Sequence, residues 1–149
     1  MANALDVAQF ILEKHGEMTT MKLQKLCYYS QGWSLAWDEV PIFDNQIEAW
    51  ANGPVVRDLY RTHRGQFRIS KIQGGDSNAL SEAEQDTVNA VLSAYGHLTG
   101  QQLSDLSHNE DPWINARGDA PEGSTLSTPI DRDALQDFFG GLDSAQRAS

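Results

Sequence analysis

Lys22-Leu-Gln-Lys-Leu-Cys-Tyr-Tyr-Ser-Gln-Gly-Trp33, followed after a turn-rich gap by Glu48-Ala-Trp-Ala-Asn-Gly-Pro-Val55, decides how this chain folds. Leu23, Leu26, Cys27, Ser30, Trp33 and Trp37 recur at helical spacing on one face, and Met21, Tyr28 and Leu35 cover others. A helix that is apolar on most sides is normally central. The spacing predicts that it starts at Thr19 as N-cap, with Met18 and Leu23 placed as a hydrophobic staple. It would run to about Trp37, roughly 27 Å at about 1.5 Å per residue.

Outward from that helix, the upstream segment opens on Asn3 and Asp6, the spacing of a capping box. Leu5, Ala8, Ile11 and Leu12 supply an apolar stripe, and His15-Gly16 stops the helix. Downstream, Pro41 ends the central helix. Ile42-Phe43 and Ile47–Trp50 read as short strands around Asp44-Asn45. Gly53-Pro54 reads as the N-cap and N1 of a new helix, because the missing N–H of proline costs little there. Val55, Leu59 and Tyr60 would then face inward. Residues 67–72 alternate imperfectly and predict a strand pairing with Ile47–Trp50.

Gly74-Gly-Asp-Ser-Asn78 is a loop. Ser81 and Glu84 form a second capping box, opening a helix to about Leu98 with Val88, Val91, Leu92 and Tyr95 as its stripe. Thr99 caps the next helix, with Leu103 and Leu106 inward. Asp111 caps a short helix ending near Gly118, and 119–129 is a loop. Asp131 caps the last helix, which carries Leu135, Phe138 and Phe139 and ends at Gly140-Gly141. The expected fold is mainly α, of the α+β kind. It is a single compact helical domain over residues 1–140 around the central apolar helix, with a small antiparallel sheet near residues 42–72 and a flexible tail over 141–149. Helices and strands do not alternate, which argues against a doubly wound sheet.

A length of 149 residues suits one domain with a real core, and 40% apolar with 21% charged residues is ordinary globular composition. The single cysteine, Cys27, forbids an internal disulfide and fits a reducing cytoplasm. The start Met-Ala-Asn-Ala-Leu-Asp has no basic region of a signal peptide, and no run reaches the roughly 20 apolar residues of a membrane span. The net charge is −10 and unevenly spread: residues 1–72 hold eight basic and eight acidic side chains, whereas 73–149 hold three and thirteen. Duplex DNA is therefore an unfavourable main partner, because cationic side chains supply most of that affinity.

Several blocks in order resemble the Panacea domain, the SocA-like antitoxin family found in many phage-associated loci. They are Met21–Trp33, Pro41-Ile-Phe43 with Ile47–Trp50, and Asn52-Gly-Pro-Val-Val-Arg-Asp-Leu-Tyr60. A weaker block, Leu103–His108 with Asp111-Pro-Trp113, and Ile130 ahead of Ala134–Phe139 follow. The resemblance implies a binding protein rather than an enzyme, with no cofactor. Its partner would be a cognate toxin, neutralised by direct contact or held for a ClpXP-like protease through a ClpX-like unfoldase. The motif positions Lys22, Leu26, Tyr28, Tyr29, Trp33, Trp50, Gly53, Pro54, Val55, His108 and Trp113 read chiefly as structural. Large aromatics at helical spacing fill cores, although tyrosine and tryptophan also anchor interfaces.

The candidate partner-binding residues are Arg57, Arg61, Arg64 and Arg68, with Tyr60. Arg57, Arg61 and Arg64 recur at i, i+4, i+7 and would line one helical face. Such a patch suits a toxin's acidic surface, a phosphate, or the acidic second half of the same chain. A small DNA-binding regulator is the alternative reading of this patch. A metal-dependent enzyme using His108 and Glu110 is the second alternative, though the paired cysteines of zinc deaminases are absent and no metal-binding histidine spacing occurs. Cys27, between Leu26 and Tyr28, reads as a buried inert thiol. A homodimer through an apolar strip on the first or last helix also stays open.

Overall fold

The computed structural model describes residues 1–148. Its order is α1 (Ala4–His15), β1 (Met18–Thr19), α2 (Thr20–Asp38), β2 (Ile47–Trp50), β3 (Gly53–Val56), α3 (Arg57–His63), β4 (Arg68–Ile69), a 3-10 turn at Ser77–Ala79, α4 (Glu82–Tyr95), α5 (Gly100–His108), α6 (Asp111–Arg117), β5 (Thr128–Pro129) and α7 (Arg132–Ala148). The fold is mainly α with small antiparallel sheets, as expected. The helix starts follow local chemistry. Asn3 with Asp6, Ser81 with Glu84 and Thr99 with Gln102 each form a full capping box. The Thr19 hydroxyl accepts from the Lys22 N–H at 3.2 Å to start α2.

α2 is the central element. Leu23 through Leu35 are buried without a break, and α1, α4, α5 and α7 surround them. A helix buried on every side must satisfy its polar groups internally. Gln31 donates to Phe43 O at 2.8 Å and accepts from Ile42 N–H at 2.9 Å. Gln24 accepts from Val56 N–H at 2.8 Å and donates to Val56 O at 3.2 Å. Each glutamine amide thus serves one flanking segment as a neighbouring strand would. For this reason Ile42-Phe43, expected as a strand, is a buried irregular segment bound to a side chain instead.

The Gly53-Pro54 expectation is overturned. Gly53–Val56 is a strand that forms a hairpin with β2, with Trp50 opposite Gly53, Ala49 opposite Pro54 and Ile47 opposite Val56. Pro54 is not at N1 and Gly53 is not an N-cap; α3 begins at Arg57, with Val56 as N-cap. The sheet order β3-β2-β5 puts β3 on an edge, where a strand tolerates a residue lacking an N–H. Gly53 closes the hairpin at φ +117°, a conformation open to glycine. The 67–72 strand is likewise shorter and placed elsewhere: only Arg68–Ile69 is extended, and it pairs with β1 rather than with β2. Ile72, whose N–H donates to Gln9 at 2.9 Å, is held by α1 instead.

Four smaller details also differ. α4 stops at Tyr95, three residues before Leu98. Leu106 is exposed rather than inward. The N-cap of α6 is Glu110, whose side chain makes no cap bond, rather than Asp111. The last helix does not end at Gly140-Gly141 but continues through both glycines to Ala148. Of the expected tail 141–149, Ser149 lies outside the described residues. Phe139 anchors α7, with its ring 5.7 Å from Tyr28, 5.9 Å from Tyr29 and 5.3 Å from Trp33. Gly32 permits that approach, since a Cβ there would lie 2.3 Å from the Phe139 ring.

Candidate functional site

α2, the β2–β3 hairpin, α3 and the 125–127 loop enclose a pocket of about 590 Å³. Trp50, Tyr60 and His63 form a continuous aromatic wall, with rings 4.9 Å and 5.5 Å apart at near-perpendicular angles. Met21, Val55 and Leu126 add apolar surface. Arg57 sits at the mouth, bound to Glu48 at 2.9 Å and 6.0 Å from the Trp50 ring. Glu48 Oε1 also accepts from the Trp50 indole N–H at 2.8 Å, so the pair fixes the wall as well as the charge.

Lys25 is the unusual residue. It is 2% exposed and lines this pocket, and among the described residues its ammonium has no hydrogen bond or ion pair. Burial pushes its pKa down to about 8, since the charged form is the one that burial penalises. Gly53 makes room for it: a Cβ at Gly53 would lie 2.7 Å from Lys25 Cε. Beside it, His63 Nε2 lies 2.9 Å from Gln24 Nε2. The Gln24 oxygen is taken by the Val56 N–H, so the amide donates and the imidazole accepts. Burial first, and then the Lys25 charge, lower the His63 pKa against an opposing backbone hydrogen bond. His63 is thereby held neutral.

Of the three arginines expected on one helical face, only Arg57 and Arg61 lie on α3. α3 ends at His63, and Arg64 follows in extended backbone at ψ 130°. Arg61 pairs with Asp58 at 3.4 Å, and Arg68, on β4, pairs with Glu17 at 3.1 Å. The acids that the cluster meets (Glu48, Asp58 and Glu17) all belong to the first half of the chain, so the ion pairs that form are not those of the alternative that used the acidic second half. Arg61, Arg64 and Arg68 remain on the surface, and so does Phe67 of the same segment, which is 77% exposed.

The remaining motif residues hold the fold together. Lys22 donates to Gly96 O at 2.7 Å, and the Trp33 indole donates to the Tyr95 hydroxyl at 3.0 Å. Leu26 is fully buried. The Trp113 indole donates to Trp50 O at 2.8 Å. Both Tyr28 and Tyr29 hydroxyls donate to buried Glu110, at 3.1 Å each. Burial pushes Glu110 up to about 7, although the two tyrosine bonds pull the other way. His108 faces backbone carbonyls at both ring nitrogens, Ala51 O at 2.9 Å and Ser104 O. His108 and Glu110 therefore point into different environments and do not form a metal pair. Cys27 is buried, and burial raises its thiol pKa.

Sequence reasoning found Arg57, Tyr60, Trp50 and Val55 of this pocket but missed Lys25, Gln24 and His63. The available signal was a lysine in the middle of a helix that is apolar on most sides, where some lysine must fall inside.

The family model described as Antitoxin SocA-like, Panacea domain, matches residues 23–114. No curated protein and no solved structure matches the chain. The matched span includes the pocket's walls from Gln24 to His63, together with Glu110 and Trp113. No described helix is long and apolar enough to cross a membrane.

Proposed function

The chain belongs to the SocA-like antitoxin family, the Panacea domain, and on that premise we propose that it neutralises a cognate toxin protein by direct contact. The surface we assign to the toxin is the exposed segment that carries Arg61, Arg64, Phe67 and Arg68. One observation carries the choice: an exposed aromatic, Phe67, in a segment with three exposed arginines stands out on a chain of net charge −10. Aromatic and arginine side chains supply most interface hot spots. The local ion pairs Arg61–Asp58 and Arg68–Glu17 are solvent-exposed on both sides, and exposed pairs hold by only about 0–1 kcal/mol. They yield readily to a partner's carboxylates, which arginine engages in bidentate fashion.

In this reading the protein works in the cytoplasm, either by blocking the toxin or by holding it for a ClpXP-like protease. The test induces the adjacent gene of the native operon with and without this protein, and follows growth and co-purification. Relief of toxicity with co-purification is the expected result; toxicity that the protein does not relieve overturns the proposal. Relief that disappears in cells lacking the unfoldase assigns proteolytic delivery. Arg61→Glu, Arg64→Glu and Arg68→Glu combined should weaken toxin binding about tenfold or more while leaving Tm within a few degrees. Unchanged binding would move the interface elsewhere.

A further inference from the structure

An ammonium kept in a buried site without a counter-ion is costly. No buried polar atom of the described residues is left wholly sealed without a partner. The Lys25 ammonium is therefore not sealed off, and the side chain lines the pocket between α2, the hairpin and α3. The charges around that space balance in a particular way. Arg57 is matched by Glu48 at 2.9 Å, and His63 accepts from Gln24 and is neutral. Tyr60 is a phenol, and Ser107 beyond Gly53 is a neutral hydroxyl that donates to Ser104 O at 2.9 Å. One positive charge is left over, and the walls around it are largely apolar and aromatic.

We propose that this pocket binds a small organic monocarboxylate, with its carboxylate on the Lys25 ammonium and its apolar body against Trp50, Tyr60 and Val55. A single uncompensated cation matches a single negative charge; a phosphate dianion would leave one charge unmatched in a site lined mostly by carbon. The volume of about 590 Å³ falls in the range of small-molecule sites, about 300–1,000 Å³, in which apolar walls supply affinity and a few polar groups fix orientation. The site is pre-organised, because Gly53 leaves the lysine stem its channel and Gln24 fixes His63. This inference does not depend on the antitoxin reading, since it rests on other residues.

The test uses the purified full chain and three probe acids: 3-phenylpropionate, indole-3-acetate and hexanoate. Calorimetry should detect binding of at least one, with 3-phenylpropionamide and inorganic phosphate failing to compete. In the wild type, the Lys25 ¹³Cε resonance should titrate at higher pH with the acid bound, because the carboxylate stabilises the ammonium. Lys25→Met should lower probe affinity by about tenfold or more, the loss expected when a buried charged partner is removed. Its Tm should be equal or higher, because a buried unpaired charge has gone. The proposal is overturned if no probe acid binds, if the amide binds as well as the acid, or if the Lys25 resonance does not respond. Equal affinity in a folded Lys25→Met protein overturns it too. None of these outcomes bears on toxin neutralisation, which the co-expression assay reads independently.

Discussion

Glu110 occupies the N-cap of α6 yet caps nothing, since its carboxylate turns inward to the hydroxyls of Tyr28 and Tyr29. The consequence is a measurable pH dependence. Its pKa is raised from 4.5 to about 7, with burial outweighing the two hydrogen bonds. Below its unfolded value the group is protonated in both states, and its contribution to stability is fully present. Between about 4.5 and about 7 the unfolded chain ionises while the folded one holds its proton. Stability from this residue is then lost at up to ~1.4 kcal/mol per pH unit, and no further change follows above the folded value. Glu110→Gln removes the titration. The variant's unfolding free energy, measured in urea beside the wild type, should gain on it by up to about 3 kcal/mol across that window. A difference that stays flat with pH would mean that Glu110 titrates as in the unfolded chain. Lys25 carries the opposite sign. A lowered folded pKa makes its cost largest at neutral pH and relieves it as pH rises from about 8 towards 10.5.

At the scale of elements, helix starts were legible because their chemistry is local. Asn3, Thr19, Ser81 and Thr99 each bond a backbone N–H within three residues. The failures share a different cause. Gly53-Pro54 carries the local signature of a helix start, but its state is set by Ala49 across the hairpin and by Gln24 of α2 on Val56. Ile42-Phe43 looks extended, yet its hydrogen bonds go to Gln31. Of the pocket's aromatic wall, Trp50 and Tyr60 were legible as motif residues and His63 was not. The uncompensated charge was not, because whether Lys25 finds a carboxylate depends on elements far from it in sequence. Gly140-Gly141 is the clearest case: two weak helix formers remain helical because Phe139, just before them, is locked against Tyr28, Tyr29 and Trp33. That account is testable within α7. A Cβ at either glycine meets nothing within 4 Å. Gly140→Ala and Gly141→Ala should therefore each stabilise the protein by ~0.5–1 kcal/mol, the entropic difference between glycine and alanine in a helix. Thermal unfolding checks it, and a loss of stability would mean that the helix breaks there.

At the scale of the whole molecule, the matched region and the folding unit are not the same. The family match ends at Trp113 and Ile114 and begins inside α2, but the face of α2 that matters is covered from outside those limits. Val7, Ala8 and Ile11 of α1 are fully buried, as is Phe139 of α7, and Leu12 and Leu135 are nearly so. Burying a side chain of the Val, Leu, Ile or Phe kind is worth about 1.5–3 kcal/mol. Val7, Ile11, Leu12, Leu135 and Phe139 together thus reach the scale of a domain's entire net stability, about 5–15 kcal/mol. A fragment of residues 23–114 would expose Tyr28, Tyr29 and Leu26 to water. It would also lose the Thr19 cap of α2 and the Arg132–Asp44 pair that ties α7 to the segment before β2. It should show no cooperative urea transition and no near-ultraviolet tyrosine and tryptophan signal, whereas the full chain should show both. It should also fail to relieve toxicity in the co-expression assay. A cooperative transition in the fragment would mean that the hairpin, α2 and α5 form a core of their own, with α1 and α7 as additions to it.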